Sequence, residues 1–202
     1  MADSSKILEL VTAFRGMITR LQEENVKTIN ELNLVTGFIA GTGARVIIFG
    51  EHYNQVERGR INDHIRRINE LVGVNFILSE EIGEQVLSTL ASKRSAIDRG
   101  AYSVSKDSIE LSIELNIPMV GIDDWTNTGN DLSTPANVAI REKRMNTVIG
   151  NYLTRGVIVV IVTDIHLRKS TTSSLGPASP IWTKYRTNRK VVFVRSQNPK
   201  IP

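Results

Sequence analysis

The chain has 202 residues, 41% hydrophobic and 23% charged, which fits one globular domain and excludes a disordered or collagen-like polymer. It contains no cysteine, so disulfides and thiolate metal ligands are excluded and any metal would rest on His and carboxylates. The net charge of +4 is unevenly placed: no acidic residue follows Asp164, whereas Arg168, Lys169, Lys184, Arg186, Arg189, Lys190, Arg195 and Lys200 do. From Ser4 to Leu34, Ile7, Leu8, Val11, Phe14, Met17, Ile18 and Leu21 recur at spacings of three and four. This predicts an amino-terminal amphipathic helical segment within residues 1–37, continuing through Ile29 and Leu32.

Gly37, Gly41 and Gly43 interrupt that pattern, and Val46 to Phe49 follow as a short apolar run of the kind buried on both faces of a parallel sheet. Asn75 to Leu78, Pro118 to Ile122 and Val157 to Val162 are further strand candidates. Between them, Ile61, Ile65, Ile68 and Leu71 mark one crossover helix, and Ile109, Leu111, Ile113 and Leu115 mark another, closed by Asn116 and Pro118. Thr134-Pro135 opens a third, carrying Val138, Met145, Val148, Ile149, Tyr152 and Leu153 up to Gly156. Ser170 to Pro180 has the composition of a loop, and Val191 to Val194 is expected as an edge strand. Strands separated by helical lengths imply a single α/β domain on a mostly parallel central sheet. Its core would span 44–167, with a basic carboxyl-terminal segment at 168–202.

No apolar run nears the roughly 20 residues that cross a bilayer, and Met1 to Lys6 is polar, so a soluble, cytoplasmic chain without a signal peptide is expected. The basic carboxyl-terminal segment is a possible contact for a polyanion or a protein, because clustered cations attract polyanions.

Each central strand candidate ends in ionisable residues: Glu51-His52, Glu80-Glu81, Asp123-Asp124, and Asp164 with His166. In open parallel sheets ligands bind beyond the carboxyl ends of the strands, so these residues should line one rim. Two of the three histidines fall there, and an imidazole beside carboxylates is what acid/base chemistry requires. The third, His64, lies in the first crossover helix and fits a surface or packing role.

The segments Val46-Ile47-Ile48-Phe49-Gly50-Glu51-His52, Pro118 to Asp123, Arg141-Glu142-Lys143-Arg144-Met145 and Val159 to His166 resemble the erythromycin esterase, ChaN-like and TraB/Tiki superfamily over roughly Ala44 to Leu167. The resemblance implies site residues Glu51, His52, Glu80 or Glu81, Arg141 and His166. Glu51 and His52 are adjacent where that group usually separates them, and Thr163 stands where it commonly has Gly. The group contains esterases, metal-dependent proteases and haem-binding lipoproteins, so fold does not choose the reaction.

The leading expectation is a hydrolase acting on an ester, lactone, amide or phosphoryl bond of a small-molecule substrate. His52 or His166 would be the base, Glu51 or Glu80 would orient water, and Arg141 would stabilise negative charge, with Asp123, Glu81 and Arg144 binding substrate. A variant places a divalent metal on Glu51, His52 and His166, with Glu80. The alternatives are a binding or interaction protein on the same fold, and haem held by His52 and His166.

Overall fold

A computed structural model of the chain describes residues 26–28, 45–51, 55–100, 103–123, 134–169, 178–188 and 190–195. Its strands are β1 (Val26–Thr28), β2 (Val46–Glu51), β3 (Phe76–Ser79), β4 (Val86–Leu87), β5 (Met119–Gly121), β6 (Ile158–Thr163) and β7 (Val191–Arg195). They form one sheet in the order β1-β7-β2-β6-β3-β5-β4. Every pairing is parallel except that of β4 with β5. The four strands expected from uniform apolarity are therefore parallel members of one sheet, with Ile47 and Ile77 flanking Val159 in register.

Period-two alternation divides the core between the faces. Ile47, Phe49, Ile77, Val159 and Ile161 pack with Ile61, Ile65, Ile68, Ile109 and Leu111 from helices α1 (Gln55–Val72) and α3 (Ser103–Glu114). Ile48, Leu78, Val120, Val160 and Phe193 pack on the opposite face with Met145, Ile149, Ile181 and Tyr185 from α4 (Pro135–Tyr152) and α5 (Pro180–Tyr185). The strands thus have apolar neighbours on both sides, as their sequences require.

Leu71, expected on the buried stripe of α1, is instead 47% exposed. The stripe facing the sheet runs through Ile61, Ile65, Ile68 and Val72, at spacings of four, three and four, so Leu71 is turned outward while Val72 packs on the core. Thr134 caps α4 by accepting from Asn137 N, with Pro135 in the first turn. Asn116 closes α3 in the left-handed region at φ 54°. At that same terminus the buried Lys93 Nζ, from helix α2 (Leu90–Asp98), donates to the carbonyls of Ser112 and Ile117 at 2.7 and 2.8 Å. Sequence periodicity did not resolve α2, which is marked instead by a Thr89/Ser92 capping box.

Two expectations are corrected. Val26–Thr28 is a strand and not part of an amino-terminal helix, because its backbone satisfies the outer hydrogen-bonding row of β7. β7 is accordingly not an edge strand: it lies between β1 and β2. The remainder of the expected amino-terminal helix lies outside the described residues, as does most of the loop before Pro180. No helix among the described residues is long and apolar enough to cross a membrane.

Gly121 allows β5 to lie against the turn after β3, since an added Cβ would fall 1.4 Å from the Gly83 carbonyl oxygen. Gly121→Ala is expected to destabilise by about 3 kcal/mol. Gly59→Ala in α1, where nothing lies within 4 Å of the new atom, should instead stabilise by up to about 1 kcal/mol. The urea midpoints of the two variants check this pair.

Candidate functional site

Parallel pairing brings the polar ends of β2, β3, β5 and β6 to one side of the sheet. β2 ends on Glu51. β3 enters a 3-10 turn at Glu80–Ile82, capped by the Ser79 hydroxyl accepting from Glu81 N. Asp123 follows β5, and β6 enters a second 3-10 turn at Asp164–Leu167 that carries His166. Gly50 permits that turn to close on β2, since a Cβ there would lie 2.6 Å from Asp164 Oδ1 and 2.8 Å from Leu167.

The charged side chains at this rim are buried and sorted into two connected groups. In the first, Arg58 Nη2 donates to Glu51 Oε1 and, at 2.6 Å, to Glu81 Oε1. In the second, Arg141 donates from Nε and Nη2 to Asp123 Oδ2 at 2.8 and 2.6 Å, and from Nη2 to Glu80 Oε1 at 3.1 Å. Glu80 also accepts from Thr163 N at 2.6 Å and from the Thr163 hydroxyl at 2.8 Å. His166 Nε2 faces Glu80 Oε1 at 3.4 Å, while its Nδ1 meets Glu142 Oε1 at 3.1 Å. Arg168 donates from Nη1 and Nη2 to the two oxygens of Glu142 at 2.7 and 3.1 Å.

These contacts set the charge states. Burial disfavours the His166 imidazolium, but the Glu80 carboxylate and the bonds to Glu142 and Glu80 outweigh it and push the pKa up to about 9. The reciprocal holds for Glu80: burial opposes ionisation, yet the charge and hydrogen bond of His166, the charge of Arg141 and the Thr163 N–H hold its pKa well below the usual range. Burial dominates at Glu81 and Asp123 and raises both, although Arg58 and Arg141 respectively pull against it. Burial likewise lowers the pKa of Arg58 against the charge of Glu81.

Glu51, Glu80, Glu81, Asp123, Arg141 and His166 thus all sit at the rim, in the two groups described. Arg144 does not join them: it is half exposed, one helical turn beyond Arg141, and pairs with Glu84 at 2.5 Å. His52 and Asp124 lie outside the described residues.

Sequence reasoning overlooked Arg58 and Glu142, and placed Arg168 in a basic surface segment. Arg168 is in fact 2% exposed, drawn inside by Glu142. A signal for the other two existed. Arg58 stands three residues before Ile61 on the Ile61/Ile65/Ile68 stripe, and Glu142 stands between Val138 and Met145 on the buried stripe of α4. A charge on an apolar helical stripe demands a buried partner.

Among the described residues, several buried atoms at the rim meet no hydrogen-bond partner: Glu51 Oε2, Arg58 Nε and Nη1, Glu81 Oε2, Asp123 Oδ1 and His166 Nε2. Buried polar atoms are otherwise almost always paired, so these are the unfilled hydrogen-bonding positions of the rim. No group of three or more His, Asp or Glu side chains among the described residues is placed to hold a metal. Arg58 engages Glu51, and Glu142 engages His166 Nδ1, while His52, the remaining member of the metal set and of the haem pair considered from sequence, lies outside the described residues.

No family model matches the chain, and no curated protein matches it. Solved structures do. Two described as bacterial protein toxins match 82% and 84% of the chain at 15% and 17% identity, each with a TM-score of 0.52. The chain spans 38% and 39% of the length of those toxins. The type III effector HopBA1 matches over 80% of both chains at 15% identity with a TM-score of 0.49. At such identities the two toxins show a shared fold.

The His166 network fixes the sign of a pH dependence. With its folded pKa raised from 6.5 to about 9, His166 contributes stability that is complete below about pH 6.5 and disappears as pH rises through about 9. Glu80, with its pKa lowered, contributes stability present above its unfolded value and lost in acid. The melting temperature should therefore decline between about pH 6.5 and 9. His166→Gln should flatten that decline, with its largest deficit on the acidic side; thermal melts across the range check this.

Proposed function

We propose that the chain is a hydrolase in which Glu51 and Glu81, joined through Arg58, form the acid/base pair. The supporting observation is the buried Arg58 group itself, in which two carboxyl groups share one guanidinium nitrogen and each keeps an unfilled oxygen beside the unfilled Arg58 N–H groups. A pair of carboxyl groups with different protonation is the arrangement that supplies both a base and an acid.

In this reading Glu51 Oε2 takes the proton from an attacking water. Glu81, whose pKa is raised by burial, donates a proton to the leaving group. Arg58 Nε and Nη1 donate to the oxygen on which negative charge develops, inside a site where burial strengthens the interaction. His166, protonated at neutral pH and flanked by Glu80 and Glu142, is a poor base; with Arg141 it serves to hold Glu80 and the two turns in place. We further propose membership of the erythromycin esterase, ChaN-like and Tiki group, because Glu51, Glu80, Arg141 and His166 follow the order of its motifs on a parallel sheet of the matching kind. The bond cleaved is an ester, lactone, amide or phosphoester.

Against a panel of such substrates, Glu51→Gln should lower kcat by at least about 100-fold. It should shift the melting temperature by only a few degrees, because Arg58 keeps Glu81 as its partner. A variant that retains full activity would show that Glu51 is not the base. The pH–rate profile should lose activity on its alkaline limb as Glu81 ionises, and Glu81→Gln should abolish turnover at every pH rather than displace that limb. No step requires a metal, so dialysis against a chelator should leave turnover unchanged.

A further inference from the structure

The two helical layers differ in how their charges are balanced. On the α1 and α3 side, Arg66 pairs with Asp63 and Glu114, Arg67 with Glu70, and Lys106 with Glu110. On the α4 and α5 side the only described acids of 134–169 and 178–195 are Glu142 and Asp164, and both are buried at the rim. Lys143, Arg144, Arg155 and Lys184 are exposed there, and Arg144 reaches Glu84, an acid of another element.

Lys184 and Arg155 are held by more than charge. Arg155 lies over the Tyr152 ring at 4.7 Å and Lys184 over the Tyr185 ring at 5.2 Å, which restricts their side chains and fixes the charges on the surface. The outward stripe of α4, namely Ile140, Lys143, Arg144, Thr147 and Asn151, sets an exposed isoleucine, 56% accessible, among these cations.

We infer that this α4–α5 face docks on a membrane surface containing anionic phospholipid. Several cations, with Glu84 beside Arg144 as the one exposed acid among the described residues they meet, complement a plane of negative headgroups, and the attraction acts within a Debye length of the surface. A short apolar side chain among the cations suits the headgroup boundary. Nucleic acid is the less fitting polyanion, because the aromatic rings of this face already have partners: the partly buried Trp182 packs on Phe193 at 5.0 Å under Lys169, the partly buried Tyr152 lies between Phe76 and Arg155, and Tyr185 is buried. Among the described residues of this face no aromatic ring stands exposed for a base to stack on.

The full chain, sedimented with vesicles of phosphatidylcholine containing about 30% phosphatidylserine, should bind at low salt and be released by raised salt. Vesicles of phosphatidylcholine alone should not bind it. The triple variant Lys143→Glu, Arg155→Glu, Lys184→Glu should lose roughly 100-fold in affinity while keeping its circular dichroism and melting temperature. Reversal of Arg60 and Arg94 on the opposite face should change binding little. Absence of low-salt binding, insensitivity to the triple reversal, or tighter binding to duplex DNA than to the anionic vesicles would overturn the inference.

Discussion

A buried ion is stable only where opposite charge and hydrogen bonds replace its lost hydration, and the carboxyl end of this sheet is organised by that requirement. Arg168, Glu142, His166, Glu80, Arg141 and Asp123 form an alternating series of charges, each member held by the next. The series fastens α4 to the turns after β3 and β6 and to the residue after β5. Removing one member strands a buried neighbour, which costs far more than an exposed ion pair contributes. The Arg58 group is different in kind: two carboxyl groups share one cation, so charge is not balanced and the protonation of Glu81 is drawn into play. The rim thus sets a charge-balanced network beside an unbalanced one.

The apolar core makes this placement possible. Because all the central strands run the same way and each buries both faces, their polar ends emerge together and have nowhere to go except against the helices. Arg58 and Glu142 are the responses of the two layers. Each enters from a mostly apolar helical face, one from either side of the sheet.

Much of this was legible in the sequence. Val46 to Phe49, Phe76 to Leu78, Met119 to Ile122 and Val157 to Val162 announced themselves by uniform apolarity, and Thr134-Pro135 by cap chemistry, because these are local signals. The convergence of Glu51, Glu80, Asp123 and His166 followed from parallel pairing alone. What stayed hidden depends on contacts distant in sequence. Arg168 looked like the start of a basic tail because its partner, Glu142, lies on another element. The strand at Val26–Thr28 is too short to outweigh the helical period around it and exists through pairing with β7. The antiparallel β4 and the short α2 carry little periodicity of their own, and the capping box at Thr89 was their one local mark.

Lys93 has a consequence for the sheet that it does not touch. The excursion from Glu84 to Asp98 contains β4, whose two residues cover the outer hydrogen-bonding row of β5, and α2, which Lys93 anchors to the end of α3. Two paired residues alone hold a strand weakly, so this border of the sheet is kept closed by the buried Leu87 and Ala96 together with a lysine on a helix. Were that border to open, the backbone of β5 would become a template for a strand from another molecule.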